Sequence, residues 1–289
     1  MSTSQSLKYK YANLNAFGKI IVITAVVFLI DFVMTQIAGL GNLTKYLKLP
    51  ADVSDFILQP WTLITYGFMH GDIIHIFFNM FILYAVTQIL LNLFRSKMIL
   101  NIYFLGIIFG GLIFLAFYNL APSSIIKNAS FLVGASAGVR ALIIFISVYM
   151  ANSDVRIFKW NVKWKYIGMF IVGIDIIGFL SGVNQGGHIA HLGGAFLGYI
   201  YAVQLQKGKD VGLGFEKLAD GFMSLFKPKS HLKTVHRKTT KSKMAGKTKD
   251  EFKSFNKQKQ IDIILDKISK SGYESLTAEE KEFLFRAGK

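Results

Sequence analysis

Ser136 stands in the phrase Gly134-Ala135-Ser136-Ala137-Gly138, at the head of an apolar run that continues to Met150. A serine in an apolar helix ordinarily turns its hydroxyl back to a carbonyl one turn earlier, and that structural role covers most such serines. The flanking glycines argue for more, because small residues let a second helix come close enough to reach the serine oxygen. Two other apolar stretches carry groups that could meet it. His188 and His191 lie three apart just before Gly193-Gly194, and His75 lies one turn from Asn79 on a helical face, with His70 upstream. A serine hydroxyl is a weak nucleophile until a neighbour takes its proton, and imidazole is a fitting acceptor. Ser136 and His191 are thus candidate nucleophile and base. The polar pair His75 and Asn79 could steady the oxyanion of a tetrahedral intermediate. For His70 alone, interhelical hydrogen bonding is the simpler role.

Elements must hold these groups together, and composition says where. Of 289 residues 52% are hydrophobic and 17% charged, too apolar for a soluble domain of this length. The expectation is a polytopic membrane protein. Six stretches, near 19–39, 72–93, 98–118, 132–151, 165–182 and 187–205, are long enough to cross a hydrocarbon core of about 30 Å. With a rise of about 1.5 Å per residue, His75, Asn79, Ser136 and His191 fall within about two turns of one end of the second, fourth and sixth stretches. The first stretch exceeds a signal-peptide core and lacks a clear cleavage site, so it reads as an uncleaved helix. Lys8, Lys10, Lys19, Arg95, Lys97, Arg156, Lys159, Lys163 and Lys165 fall on one side, against Lys45, Lys48 and Lys127 on the other. The excess of basic residues places both termini in the cytoplasm. Residues 40–59 read as a long interfacial outer loop.

Taken together and in order, His70-x4-His75-x3-Asn79, Gly134-x-Ser136 and Ala190-His191-Leu192-Gly193-Gly194 resemble the rhomboid intramembrane serine proteases over about residues 55–205. The resemblance implies an all-α membrane protein, a six-transmembrane-helix rhomboid-like bundle. It makes Ser136 the nucleophile and His191 the base of a Ser-His dyad, with His75, Asn79 and the backbone around Gly134 serving the oxyanion and substrate. Phe94 to Tyr103 resembles the family's entry to its third helix. It also implies single-pass transmembrane protein substrates that enter laterally, unwind and are cut near the outer surface, with membrane lipid as the other partner. Cleavage would need no organic cofactor and no metal, and weak self-association is a further partner expectation. The compartment implied is the cytoplasmic membrane of a bacterium. A rhomboid-like pseudoprotease, which binds transmembrane helices without cutting them, is the second reading.

Three places depart from that pattern. Ala137 follows the nucleophile where the family usually has glycine. The stretch 86–92 carries no charge where an arginine and a glutamate are common. Arg140, one turn after Ser136, replaces an aromatic or apolar side chain. An unpaired guanidinium at membrane depth costs at least ~2.5 kcal/mol, so Arg140 needs a partner. Asp31 in the first stretch and Asp175 in the fifth lie at similar depth and either could supply it. The alternative is that Arg140 lies against His191 and alters catalysis by like-charge repulsion.

Residues 206–289 hold 20 of the 33 Lys and Arg, and this basic cytoplasmic C-terminal tail includes a run unable to bury a core. The expected division is a cytoplasmic N-terminus over 1–18, the membrane domain over 19–205, a flexible linker over 206–260 and a short helical segment over 261–289. In the last, Thr277 and Glu280 have capping-box spacing. Weak attraction to anionic lipid suits the basic run. Nucleic-acid binding is not expected, because no aromatic platform accompanies it. Absence of cysteine excludes a thiol nucleophile and disulfides. No His-Glu-x-x-His occurs, against a zinc protease, although clustered histidines keep a metal as a third-ranked idea. A transporter would more often show a repeated half.

Overall fold

The computed structural model describes residues 3–37, 39–40, 44–122, 130–157, 159–225 and 249–287. The chain forms two compact units, 1–227 and 228–289. The first is mostly helical. After α1 (Thr3–Ala12), Asn15 caps α2 (Ala16–Phe32) by accepting the Gly18 N–H, and one π-helical turn over Val33–Ile37 prolongs it. Strand β1 (Leu49–Pro50) and two short helices, α3 (Val53–Leu58) and α4 (Thr62–Thr65), lead to α5 (Ile73–Leu91). Then follow α6 (Ser96–Leu120), strand β2 (Phe131–Leu132), α7 (Ser136–Tyr149), the hairpin of β3 (Asp154–Ile157) and β4 (Trp160–Lys163), α8 (Trp164–Ser181), α9 (Gln185–Gln206) and α10 (Leu213–Leu225).

Six of these helices, α2 and α5 to α9, occupy the six stretches expected from apolarity. Four of them, α2 with its π-turn, α5, α6 and α8, are both long and apolar enough to cross a membrane. Large side chains such as Phe77, Phe81, Phe170 and Ile177 stay exposed on their outer faces, as lipid solvation permits. The core lies around α7, which is buried from Ala137 to Ser147 except at Arg140 and packs on α6 and α9. Small residues set those distances. A Cβ on Gly106 would lie 2.5 Å from the Ala141 methyl, and one on Gly110 2.6 Å from that of Ala137. A Cβ on Gly194 would lie 2.1 Å from the Ala137 carbonyl oxygen, and one on Gly198 2.2 Å from that of Ala141. The backbones of α7 and α9 therefore touch directly.

The structure corrects several expectations. The chain is not purely helical: β1 pairs antiparallel with β2, Leu49 opposite Leu132, and the basic loop after α7 is the β3–β4 hairpin. The fourth apolar stretch does not become helical at 132. Gly134 at φ +123° adopts a backbone that other residues avoid, which breaks the run, so helix begins at Ser136. The sixth stretch, in contrast, turns helical before 187, after a tight turn. Gly182 in the left-handed region and Asn184, whose side chain caps Gly187, complete it, and α9 starts at Gln185.

The linker expected over 206–260 contains α10, which the membrane-domain unit holds. Asn101 donates to the Gly212 carbonyl and to Glu216, Lys97 pairs with Glu216 and Asp220, and Tyr201 donates to Asp210. Averaging charge over the whole tail hid this: 206–225 alone mixes acidic and apolar residues. Residues 226–248, the centre of the basic run, lie outside the described residues. In the second unit, α11 (Lys249–Ser271) begins well before 261 and is followed by α12 (Ala278–Ala287). The Thr277 and Glu280 capping box forms as its spacing predicts, each side chain bonding the other's N–H at 3.2 and 2.8 Å, and Lys267 pairs with Glu280.

Candidate active site

Three helices build one polar cluster inside the apolar bundle. Ser136 is the first residue of α7, so the first-turn N–H groups around it have no acceptor within the helix, and no side chain caps that end. Its hydroxyl lies 2.7 Å from Nε2 of His191 on α9. Nδ1 of His191 lies 2.7 Å from Oδ1 of Asp175 on α8, and Nδ1 of His188, one turn earlier on α9, lies 3.0 Å from the same oxygen. Arg140, one turn below Ser136, donates from Nε to Oδ2 of Asp175 at 2.7 Å and from Nη2 to Oδ1 at 3.4 Å. Asp175 is wholly buried. A buried carboxylate is tolerable only when its lone pairs are satisfied, and here one guanidinium and two imidazoles do so.

The cluster opens into a cavity of about 510 Å³ lined by His75, Asn79, Ser136, Arg140, Asn184 and His191, among others. The other wall is α5. Asp72 caps that helix by accepting the His75 N–H at 2.8 Å, and Asn79 uses one amide N–H on the His75 carbonyl at 3.0 Å. Gly134 bridges the two walls. Its N–H donates to the Tyr66 carbonyl at 3.0 Å, and a Cβ there would lie 2.9 Å from the His75 ring and 3.5 Å from the Ser136 hydroxyl. A side chain is thus barred both by φ and by space.

His70 sits beneath this bridge, with Nε2 accepting the Ala135 N–H at 3.5 Å and its ring 5.0 Å from that of His75. Burial first, and His75 second, push His70 down to about 4, so the ring is neutral at physiological pH and remains an acceptor.

The predicted site residues divide accordingly. Ser136, His191, His75 and Asn79 line one cavity, with Gly134 at its edge. His70 supports the loop before Ser136, and His188 joins Asp175. Of the two aspartates offered to Arg140, Asp175 holds it. Asp31 instead accepts from Thr35 at 3.3 Å and lines a separate cavity with Lys48 and Asp72. Sequence reasoning missed two features: the Asp175 to His191 contact, and Gly178 on α8, where a Cβ would come 2.2 Å from the His188 ring. Their spacing was the available signal, since Asp175 and Gly178 share a face of α8 as His188 and His191 share one of α9.

Asp175, His188 and His191 keep their ligating atoms within 4.8 Å, the group with metal-like spacing among the described residues. Arg140 on the same carboxylate opposes a second cation there, so the chemistry of the set is that of a hydrogen-bonded ion pair.

Compared with known proteins, residues 58–207 match the family model described as Rhomboid domain. Residues 252–287 match a second model, a family of unknown function (DUF6576). The chain is 28% identical over 158 residues to RHOMBOID-like protein 12, mitochondrial, of Arabidopsis thaliana, an alignment covering 51% of this chain. It spans about half, 47%, of that relative's length.

Proposed function

Because this multi-pass membrane chain belongs to the rhomboid family, we propose that it is an intramembrane serine endopeptidase that cuts transmembrane-helix substrates near the outer membrane surface. The observation that carries the reading is the 2.7 Å contact between Ser136 Oγ and His191 Nε2 at the mouth of a polar cavity within an apolar bundle. His191 takes the Ser136 proton as the oxygen attacks the scissile carbonyl. The resulting oxyanion lies toward the first-turn N–H groups of α7, whose helix end favours negative charge, and toward His75 and Asn79 across the cavity. The tetrahedral intermediate breaks its C–N bond as His191 passes the proton to the leaving amine. Water, activated by the same imidazole, then releases the acyl group from Ser136.

All six helices cross the membrane in this reading, with both termini cytoplasmic and the chain in a bacterial cytoplasmic membrane. At 14 residues α7 spans only about 21 Å of a core near 30 Å, so its Ser136 end is recessed from the outer surface. Segment 130–134 fills the missing turns, and the cavity beside it supplies the water that hydrolysis consumes. The second reading, a pseudoprotease that holds transmembrane helices without cutting them, drew on Arg140 facing His191. The bonds from Arg140 to Asp175 weigh against it.

A fluorophosphonate probe applied to the purified protein in detergent tests the proposal. Labelling of the wild type that disappears in both Ser136→Ala and His191→Ala is the expected result. A folded wild type that neither labels nor cleaves any transmembrane peptide overturns it.

A further inference from the structure

We infer that Asp175 is the third member of the catalytic group, a positioning residue that turns the expected Ser-His dyad into a Ser136–His191–Asp175 relay, and that Arg140 holds this carboxylate in place. The inference rests on the serine-protease reading and adds the residue that aims its base. A neutral imidazole carries one proton on either of two nitrogens, and only the tautomer with a bare Nε2 can receive the Ser136 proton. The 2.7 Å contact from His191 Nδ1 to Asp175 Oδ1 selects that tautomer and fixes the ring plane. When Nε2 takes the proton, the imidazolium that forms is already bonded to a carboxylate.

Arg140 makes the carboxylate admissible. Arg140 and Asp175 bring one cation and one anion to the cluster, so the burial of the pair needs no further counter-ion. The planar guanidinium meets both carboxylate oxygens, at 2.7 and 3.4 Å, and so sets the orientation in which Oδ1 faces α9. His188 adds a third donor to Oδ1 at 3.0 Å. Gly178 lets α8 close flush on the His188 ring, where a methyl would come within 2.2 Å of Nε2. Each of the three elements packed here thus contributes: α7 gives Ser136 and Arg140, α8 gives Asp175 and Gly178, and α9 gives His188 and His191.

The test uses full-length protein labelled with nitrogen-15 at histidine, with two readouts. In the NMR spectrum of Ser136→Ala, His191 should show a protonated, downfield-shifted Nδ1–H and a bare Nε2, and that signal should vanish in Asp175→Asn. With a fluorogenic single-helix transmembrane peptide, Asp175→Asn should lower kcat by about 10³- to 10⁴-fold, as expected when the base loses the partner that sets its tautomer. KM should stay within about threefold of the wild type, and Asp175→Glu should regain part of the loss, which a merely structural defect would not permit. A folded Asp175→Asn that cleaves within about threefold of the wild type overturns the inference. So does a His191 that carries its proton on Nε2 in Ser136→Ala, an arm that decides the matter even where Asp175→Asn does not fold. The Nδ1–H signal in a wild type that neither labels nor cleaves would overturn the protease reading and leave the Asp175 bond standing. Cleavage without that signal would do the reverse.

Discussion

Adding one methyl group at Gly194 tests how closely the proposed chemistry depends on helix packing. A Cβ there would lie 2.1 Å from the Ala137 carbonyl oxygen and 3.0 Å from Ala137 Cα, and both of these are backbone atoms. Because neither can swing aside, α9 must retreat from α7 until contacts near 3.5 Å return, a displacement of roughly 1 Å or more. Position 194 is one turn from His191, and Ala137 is next to Ser136. The 2.7 Å bond between Ser136 and His191 would therefore stretch to the edge of hydrogen-bond range. Overpacking costs about 1–3 kcal/mol, whereas the better helix propensity of alanine returns close to 1 kcal/mol. Stability should fall by no more than about 2 kcal/mol, but a misplacement of about 1 Å can cost 100-fold in rate. Thermal unfolding and fluorophosphonate labelling rate, measured together in detergent, separate the two. Gly198→Ala meets the Ala141 carbonyl oxygen at 2.2 Å two turns from His191, and should cost similar stability with a smaller loss of rate. Gly173→Ala, with nothing within 4 Å, is the control and should melt no lower than the wild type. A Gly194→Ala protein that labels at the wild-type rate and melts like the control would refute a catalytic contact set by the backbones of α7 and α9.

Three further outcomes follow from other parts of the molecule. Arg140→Leu strands a buried carboxylate and should cost about 3–5 kcal/mol in thermal unfolding, while Arg140→Leu with Asp175→Leu should recover much of that because both charges are gone. Activity should stay low in the recovered double variant; wild-type cleavage there would reduce the pair to a structural ion bridge. Truncation after Leu225 should leave folding and peptide cleavage intact. Truncation after Gln206 removes the partners of Asn101, Lys97 and buried Tyr201 and should melt lower; identical melting of the two would show that α10 adds nothing. Because His70 is held near 4 while its unfolded counterpart titrates near 6.5, the unfolded state alone gains a proton as pH falls between those values. Stability should therefore drop on acidification through that window, by up to about 2 kcal/mol at pH 5, and the drop should shrink in His70→Asn. An unchanged slope in that variant would assign the acid sensitivity elsewhere.

What the sequence revealed depended on how local each signal was. The six apolar stretches were readable because a membrane span is a property of consecutive residues, and the Thr277 and Glu280 capping box because it closes within one turn. Gly194 and Gly198 stand four apart and so share one face of α9, and both meet α7. The helix start at Ser136 was less legible: nothing in the run 131–150 separates strand from helix until Gly134 is known to adopt a positive φ. Its N–H bond to Tyr66 and its contact with His75 impose that conformation, and both partners lie about 60 residues away or more. The pairing of Asp175 with His191 was hidden for the same reason, since it depends on where α8 turns into α9 at Gly182 and Asn184 and on which faces meet afterwards.

Arg140 shows how a residue that argues against a reading can become part of it. At membrane depth an unpaired guanidinium is costly, so Arg140 in an apolar helix calls for an acceptor such as a carboxylate. That reasoning narrowed the choice to two aspartates without geometry. It could not see that the same carboxylate also faces a base, because a carboxylate has two oxygens and the ion-pair argument uses them as one charge. In the structure the two are used differently: Oδ2 takes the strong bond from Arg140, and Oδ1 takes His191 and His188. The pair thus satisfies the insertion requirement mainly through Oδ2, with a longer Arg140 contact to Oδ1, and leaves Oδ1 to orient the imidazole. Replacing Asp175 by asparagine separates these duties, because it can retain a hydrogen bond to Arg140 while removing the anion that the His191 Nδ1–H requires.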